Sequence, residues 1–479
     1  MRTDRFSTVA AMQRKPSQEQ FTRVAPILGA ALLLGTGGGF VLASILTLSS
    51  AFHTPLGPWW LAVAQAHGHL QLYGWAGLFV LGVAFHFLPR LRGTPLAAAW
   101  LVPWFLATQV AGLLLRVLSQ PLLVMNGMDI WRVLLITSGV LECVALCVAV
   151  ILFVLTVLRG PSLTTRPAFL GVLPLVVGAF IALGLATWVN LVNVVVASTT
   201  AGLVPDGGDN LNVTLGLFGF LVPIALAMSA QSLPMYAGLS PFPRHMLWPL
   251  AGCYWAGVVL ICIDTIQVDW SGILAGVGML LMGGVVLVFT AVFIRMMSTR
   301  GTLPKKVAHL APAPETTARN YQKHVRNESN AYGPFVALVA SAYLWATLGS
   351  VLLVVDGLVM LLGFAPLFAI DIIRHSFAVG FITLLICGIA PRMVPGFSGS
   401  KIMSPHLVRA TLLFGNAAAA LRVGSLLLAP LLSQIGFTDI SLYALLFGLS
   451  GPMGLLLAAC LTINLWPALW PRKVIGGRE

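Results

Sequence analysis

Long apolar runs separated by short polar segments dominate this chain. Each run extends for about 20 residues or more, the length that an α-helix needs to cross roughly 30 Å of hydrocarbon. The runs lack the apolar/polar alternation of membrane-barrel strands, so they are expected to be helices, whose backbone groups pair within one segment. The pattern predicts twelve transmembrane helices, at 24–49, 64–88, 97–118, 131–158, 168–198, 211–233, 246–266, 271–294, 332–355, 370–391, 406–429 and 440–466.

The connecting segments alternate in charge along the chain. The basic set comprises both tails and the segments after the even-numbered helices, with Arg90, Arg92, Arg159, Arg166, Arg244, Arg392 and Lys401. The other set carries Asp206, Asp209, Asp269, Asp356 and Asp439 and almost no cations between its helix ends. Because cytoplasmic loops are enriched in Lys and Arg, the alternation predicts cytoplasmic termini and a multi-pass protein of the cell inner membrane.

This topology divides the chain into five parts. A cytoplasmic tail over 1–23 precedes helices one to eight over 24–294, and a basic cytoplasmic linker follows over 295–331. Helices nine to twelve occupy 332–466, and 467–479 form a second cytoplasmic tail. The linker is rich in cations and proline, so we expect it to be solvated and partly disordered.

The composition agrees with this division, and it argues against a soluble globular protein and against a nucleic-acid-binding protein. The chain is 58% hydrophobic and only 9% charged, with a mean hydropathy of +0.94. In soluble globular proteins, roughly a quarter of residues are charged. The net charge of +13 lies in alternate loops rather than on one face. It therefore indicates membrane topology and attraction to the lipid bilayer, not nucleic-acid binding. The predicted fold class is an all-α integral membrane bundle.

Three histidines lie inside the apolar runs near the predicted outer surface. His67 and His69 open the second helix and His375 opens the tenth, and both helices run from outside to inside. An intramembrane histidine indicates a functional site, and neutral imidazole binds haem iron and copper. The sequence therefore predicts a b-type haem between helices two and ten. Residues two apart on a helix point about 200° apart, so only one of the pair can face His375. We expect His69, the deeper one, to be the iron ligand and His67 to serve a second site or to support the ligand.

Arginines at compatible depth are candidate partners of haem propionates. Arg374 precedes His375, Arg116 ends the third helix and Arg132 begins the fourth. Guanidinium groups bind carboxylates in a bidentate manner. Arg116 and Arg132 fit equally well as arginines that extend to the membrane surface.

Other polar residues suggest a second metal and a proton path. His53, in the loop before the second helix, is a candidate copper ligand together with the remaining histidine of the pair. Glu142 lies near the middle of the fourth helix and is a candidate proton carrier. Arg422, in the eleventh helix, is its candidate counter-ion or a third propionate partner. The other five histidines are expected to be solvated or to cap helices: His86, His245, His309, His324 and His406.

Two motifs resemble those of the NnrS family, polytopic haem- and copper-containing membrane proteins linked to nitric oxide. The run from His67 to Gly74, HGHLQLYG, resembles the segment H-x-H-E-x-x-F-G. The stretch from His375 through Arg392 to Gly399 resembles H-A-L-x-x-G…R-x-x-x-G-H-x-G. Leu70 replaces a glutamate of that pattern and Phe397 replaces a frequent histidine. The resemblance therefore implies haem more firmly than copper.

A broader resemblance is to the catalytic subunits of haem-copper oxidases and nitric oxide reductases. These proteins also have twelve spans, and they hold a low-spin haem between histidines of helices two and ten near the outer face. Their binuclear centre needs histidines on helices six and seven. Here helix six has none, and His245 precedes helix seven on the opposite side. The sequence therefore does not predict a complete oxidase-type centre.

Two functions of different class remain open from the sequence. The first is a haem protein of nitric oxide response, protection or respiratory electron transfer. It would meet nitric oxide or oxygen and an electron-donor protein at the outer face, and it could be a haem-dependent oxidoreductase. The second is a transporter of a small solute or metal ion, with the outer histidines as a metal site. The paired histidines favour the first, and haem content distinguishes the two.

Overall fold

Helices that cross the molecule from end to end account for most of the fold. A computed structural model describes residues 20–54, 57–267, 272–300, 314–434 and 440–470. Within these residues, twelve helices are long and apolar enough to span a membrane. We number them in chain order: α1 Gln20–Ala51, α2 Pro58–Arg92, α3 Ala99–Asn126, α4 Asp129–Arg159, α5 Pro167–Thr199, α6 Asp206–Gln231, α7 Arg244–Ile266, α8 Ile273–Ser298, α9 Phe335–Leu361, α10 Ile370–Ser398, α11 Pro405–Ala429 and α12 Ser441–Leu469. The prediction of twelve spans in an all-helical bundle is confirmed.

The observed helices extend beyond the predicted apolar runs at many ends. One of the longer extensions is in α10, which continues through Pro391 and Pro395 to Ser398. A proline breaks a helix only where its missing N–H or its ring conflicts with the preceding turn, and here the neighbouring helices support the backbone. The predicted linker also differs in its described part, because Pro314–Tyr332 forms a helix. The rest of that linker from 301 to 313, most of the first tail and most of the last lie outside the described residues.

Four of the spanning helices contain a π-helical segment. These segments are Gly35–Gly39 in α1, Leu70–Ala76 in α2, Thr214–Leu221 in α6 and Ser376–Thr383 in α10. They adjoin one another inside the bundle: Trp75 Nε1 donates to Thr383 Oγ1 at 3.3 Å, and the rings of Phe218 and Phe377 meet edge to face at 5.2 Å. π-helical turns are rare and are often found at functional sites. Their clustering therefore marks one level along the bundle as a candidate functional region.

Close glycine contacts pack the side of the bundle formed by α7, α8 and α9. A Cβ added to Gly278 on α8 would lie 2.7 Å from the carbonyl oxygen of Gly257 on α7. A Cβ added to Gly357 on α9 would lie 2.7 Å from the carbonyl oxygen of Gly276 on α8. Small residues allow membrane helices to approach closely in this way. The axes of these three helices therefore leave little room for a large planar ligand between them.

His86 lies at the end of α2 that is predicted to be cytoplasmic. The sequence suggested a solvated or capping residue, but the side chain is completely buried. Its ring lies 3.9 Å from the ring of Phe397, and neither ring nitrogen has a hydrogen-bond partner among the described residues. That expectation was wrong because α1 and the extended end of α10 cover this position. His245 and His406 are exposed, as expected.

The helix Pro314–Tyr332 is attached to this same end of the bundle. Arg392 Nη2 of α10 lies 2.5 Å from Glu328 Oε1, and the Arg392 guanidinium stands 5.0 Å from the centre of the Tyr332 ring. The side chains of Arg392 and Glu328 are each only about one-fifth exposed. Their ion pair is therefore stronger than one in open solvent. The described part of the linker is therefore held against the bundle.

Candidate histidine site between α2 and α10

A cavity of about 390 Å³ occupies the half of the bundle in which α2 and α10 begin, the half predicted to face outward. Its walls come from α1, α2, α3, α5, α6, α10, α11 and α12. All three histidines predicted as ligands line it: His67, His69 and His375. Residues of the π-helical segments of α2, α6 and α10 also line it, among them Trp75, Leu217 and Thr383. The structure therefore brings the predicted histidines together.

The α1 backbone fixes the orientation of His67. Its Nδ1 lies 2.8 Å from the carbonyl oxygen of Gly39, the last residue of the π-helical segment of α1. Because a carbonyl only accepts, Nδ1 must be the donor, and the lone pair of a neutral ring then lies on Nε2. Nε2 has no hydrogen-bond partner among the described residues. This is the tautomer and the free nitrogen that a metal ligand requires.

His375 is held in the same tautomer by its own helix. Its Nδ1 lies 2.9 Å from the main-chain oxygen of Asp371 and 3.0 Å from the Asp371 Oδ1 atom. The Asp371 carboxylate in turn accepts a hydrogen bond from Arg422 Nη2 at 2.7 Å. In the part of the chain that the structure describes, His375 Nε2 has no partner either.

His69 points to a different neighbour. Its Nε2 lies 2.6 Å from Oε2 of Glu142 on α4, and both side chains are buried. The ring also packs against Tyr73, with the centroids 4.7 Å apart. His67 and His69 thus face different helices, as predicted from their spacing. The pairing of Glu142 with Arg422 that the sequence suggested was wrong, because Glu142 binds His69 while Arg422 binds Asp371.

Arg116 is buried with neutral partners. Its Nε donates to Gln120 Oε1 at 2.7 Å and its Nη1 to Asn190 Oδ1 at 3.4 Å. Gln120 donates in turn to Gln65 Oε1 at 2.7 Å. Arg116 makes no ion pair with a carboxylate among the described residues, although it lines the cavity and is only 3% exposed. A buried guanidinium in this setting favours a negatively charged group in the cavity.

The remaining predicted residues are distributed unevenly around the cavity. Arg374 lines it and donates to Asn210 Oδ1 at 2.8 Å. Arg132 is exposed beside Asp129, 3.7 Å away, and is not part of the cavity wall. His53 is exposed in the loop between α1 and α2, with a positive φ of 50°. The structure therefore groups Arg116, Arg374 and Arg422 with the histidines but leaves Arg132 and His53 outside.

A solved structure shares this arrangement of helices. The cryo-EM structure of a haem-copper terminal oxidase dimer matches with a TM-score of 0.64 at 12% sequence identity. The match covers 95% of this chain and 85% of that one. The chain has the fold of a haem-copper terminal oxidase. The sequence itself matches no family model and no curated protein.

This oxidase-like fold confirms the broader of the two resemblances at the level of architecture, and it supports a multi-pass membrane protein. At this identity the likeness concerns the fold alone. The NnrS resemblance, the haem, the copper and the role in nitric oxide chemistry stay predictions. The assignment of individual histidines to a metal also stays a prediction.

Sequence reasoning missed two groups that orient the histidines. Asp371 was not among the predicted site residues, although it stands four residues before His375, a spacing that places two side chains on one helix face. That signal was available. The Gly39 carbonyl could not be found in the same way, because a main-chain group of α1 meets α2 only after the bundle has formed.

Proposed function

We propose that this chain is a haem-binding membrane protein that carries electrons, with haem b held between α2 and α10 by His67 and His375. The observation that carries the proposal is the matched pair of imidazoles. Both line one cavity, both donate from Nδ1, and the Nε2 of each has no hydrogen-bond partner among the described residues. A haem with two imidazole ligands supplies reversible one-electron transfer.

The cavity wall fits the chemistry of such a group. Apolar side chains from three helices form the part near the histidines: Phe40 on α1, Val379 and Ile382 on α10, and Phe447 on α12. Gly68, between His67 and His69, also lines the cavity, and a Cβ there would meet no atom within 4 Å. An apolar wall excludes water and accommodates a porphyrin face. A haem-sized ligand would therefore find both its metal ligands and its packing surface here.

The arginines supply the complementary charge. Arg116, Arg374 and Arg422 line the cavity, and the two propionates of haem b are carboxylates that guanidinium groups recognise. Arg116 and Arg374 both lack a carboxylate ion-pair partner among the described residues, whereas Arg422 is paired with Asp371. We therefore expect Arg116 to bind one propionate, in agreement with the sequence prediction. Arg132 is not included, because it is exposed beside Asp129 and does not line the cavity.

The choice between His67 and His69 changes relative to the sequence prediction. His69 Nε2 is occupied by Glu142 at 2.6 Å, whereas His67 Nε2 has no hydrogen-bond partner among the described residues and His67 lines the same cavity as His375. The hydrogen bond to Gly39 gives His67 the orienting partner that metal-bound histidines usually have. We therefore propose His67 as the ligand opposite His375, and His69 as a residue that, with Glu142, ties α2 to α4.

Nitric oxide and copper are separate parts of the proposal. The link to nitric oxide rests on the NnrS-like motifs, and a carrier of electrons could serve that chemistry. The described residues do not form a copper site, since no three His, Cys, Asp or Glu side chains among them come together. Elemental analysis of purified protein measures copper directly.

The visible spectrum of the purified protein, with and without dithionite, tests the proposal. We expect a Soret band and the sharp reduced bands of a six-coordinate b-type haem, at about one haem per chain. His67→Ala and His375→Ala should each lose most of the haem or leave a five-coordinate spectrum. His69→Gln, which keeps a hydrogen-bonding group beside Glu142, should retain it.

Two results would contradict the proposal. The absence of a Soret band in purified wild-type protein would refute haem binding and favour the transporter hypothesis. If His69→Gln lost its haem and His67→Ala retained it fully, His69 rather than His67 would be the iron ligand. His245→Ala, at an exposed position of α7, is the matched histidine control and should have the wild-type spectrum.

A further inference from the structure

We infer that Asp371 is a positioning residue that lowers the reduction potential of the site by making His375 the stronger electron donor of the two axial ligands. The inference rests on the proposed function, because it concerns haem bound between His67 and His375. It adds to the ligand assignment a statement of which residue lowers the reduction potential. The structural basis is the chain of contacts Arg422–Asp371–His375.

The contacts of Asp371 hold its carboxylate at His375. Oδ1 lies 3.0 Å from His375 Nδ1, while Oδ2 accepts from Arg422 Nη2 at 2.7 Å. Each oxygen of the carboxylate thus has a different partner. Arg422 comes from α11 and is itself fixed by the ring of Phe447 on α12, 4.4 Å from the guanidinium carbon. Asp371 is therefore oriented by two further helices as well as by α10.

The acceptor of His67 is of a different kind. His67 donates to a neutral main-chain carbonyl, whereas His375 donates to a main-chain carbonyl and a carboxylate together. A carboxylate hydrogen-bonded to a metal-bound imidazole raises the basicity of that ligand and fixes its orientation. A more basic imidazole stabilises the higher oxidation state, and hydrogen bonding to an axial ligand is one of the means by which proteins set haem potentials.

The charge of Asp371 alone would act in the same direction, so a test must separate charge from hydrogen bonding. Asp209 offers the matched control. It is also an aspartate that lines the cavity, but among the described residues it has no hydrogen bond to His67 or His375. Asp209→Asn therefore replaces one carboxyl group of the cavity by an amide without changing the partners of His375.

The experiment compares wild type, Asp371→Asn and Asp209→Asn as purified haem proteins. We measure haem content, the midpoint potential by spectroelectrochemistry, and the EPR spectrum of the oxidised form. We expect all three to bind haem. The potential should rise clearly more in Asp371→Asn than in Asp209→Asn. The EPR g values, which report the axial ligands, should change only in Asp371→Asn.

Each outcome has a defined meaning. Equal potential shifts in both variants with an unchanged EPR spectrum would overturn the inference and leave the proposed function standing. Wild-type protein without haem would instead overturn the proposed function itself. If Asp371→Asn does not retain haem, Asp371→Ser removes the same carboxylate with less bulk and is compared with Asp209→Ser by the same criteria.

Discussion

The buried pair between His69 and Glu142 predicts strong coupling between α2 and α4. The two side chains meet at 2.6 Å, and their side-chain exposures are 6% and 0%. Glu142 Oε1 has no other partner among the described residues. Replacing either residue by leucine therefore leaves the other polar group buried without its hydrogen bond. We expect the double substitution to destabilise the protein much less than the sum of the two single substitutions.

The size of the effect follows from the cost of an unpaired buried group. Breaking a buried ion pair by removing one partner costs about 3–5 kcal/mol, and stranding a neutral polar group costs about 1–3 kcal/mol. Replacing both partners by apolar residues of similar volume is often nearly neutral. We therefore expect about 3–5 kcal/mol for Glu142→Leu and for His69→Leu. For the double variant we expect about 1–3 kcal/mol, which corresponds to a coupling of at least about 3 kcal/mol.

The assay is reversible unfolding of the purified protein in mixed detergent micelles, with the four proteins of the double-mutant cycle measured together. Gln109→Leu is the control on α3. Its side chain is also completely buried, but neither amide atom has a partner among the described residues, so its removal breaks no contact seen here. Single-variant effects that simply add in the double variant would refute the reasoning, because they would mean that the two side chains do not depend on each other.

Two further predictions concern packing and the surface helix. Gly35→Ala would place a Cβ 2.8 Å from Cε3 of the buried Trp75, so we expect a loss of about 1–3 kcal/mol in unfolding free energy. Gly37→Ala, which meets nothing within 4 Å, should melt like wild type, and equal melting of both variants would contradict this. Arg392→Ala removes the ion pair to Glu328, so trypsin should cleave within Pro314–Tyr332 faster than in wild type. Arg392→Lys, which keeps the charge, should be intermediate, and unchanged cleavage in Arg392→Ala would refute the anchoring role.

Much of the architecture could be predicted from the sequence because lipid imposes simple rules. A long apolar run must be a helix in a membrane, so the twelve spans followed from run length alone. The placement of the histidines of α2 and α10 in the same half of the bundle also followed, since each stands near the start of its helix and the two helices run in the same direction. These inferences needed no knowledge of how the helices pack laterally.

Lateral packing explains what the sequence could not provide. The partner of Glu142 depends on which face of α2 turns toward α4, and depth alone allowed Arg422 equally well. The π-helical segments were also not predicted, because glycines such as those at Gly35–Gly39 occur in ordinary membrane helices as well. The burial of His86 likewise depends on α10 continuing past Pro391, beyond the end of the apolar run.

The distance along the chain between the two halves of the histidine site has a consequence for biogenesis. Seven spanning helices separate α2 from α10. At about 5–20 residues per second, synthesis of the roughly 300 intervening residues takes about 15–60 s. During that interval His67 is already in place without its partner. A ligand that requires both histidines can be inserted only after α10 has entered the membrane. Cofactor loading would therefore be a late, post-insertional step, and a chain truncated before α10 should be unable to complete it.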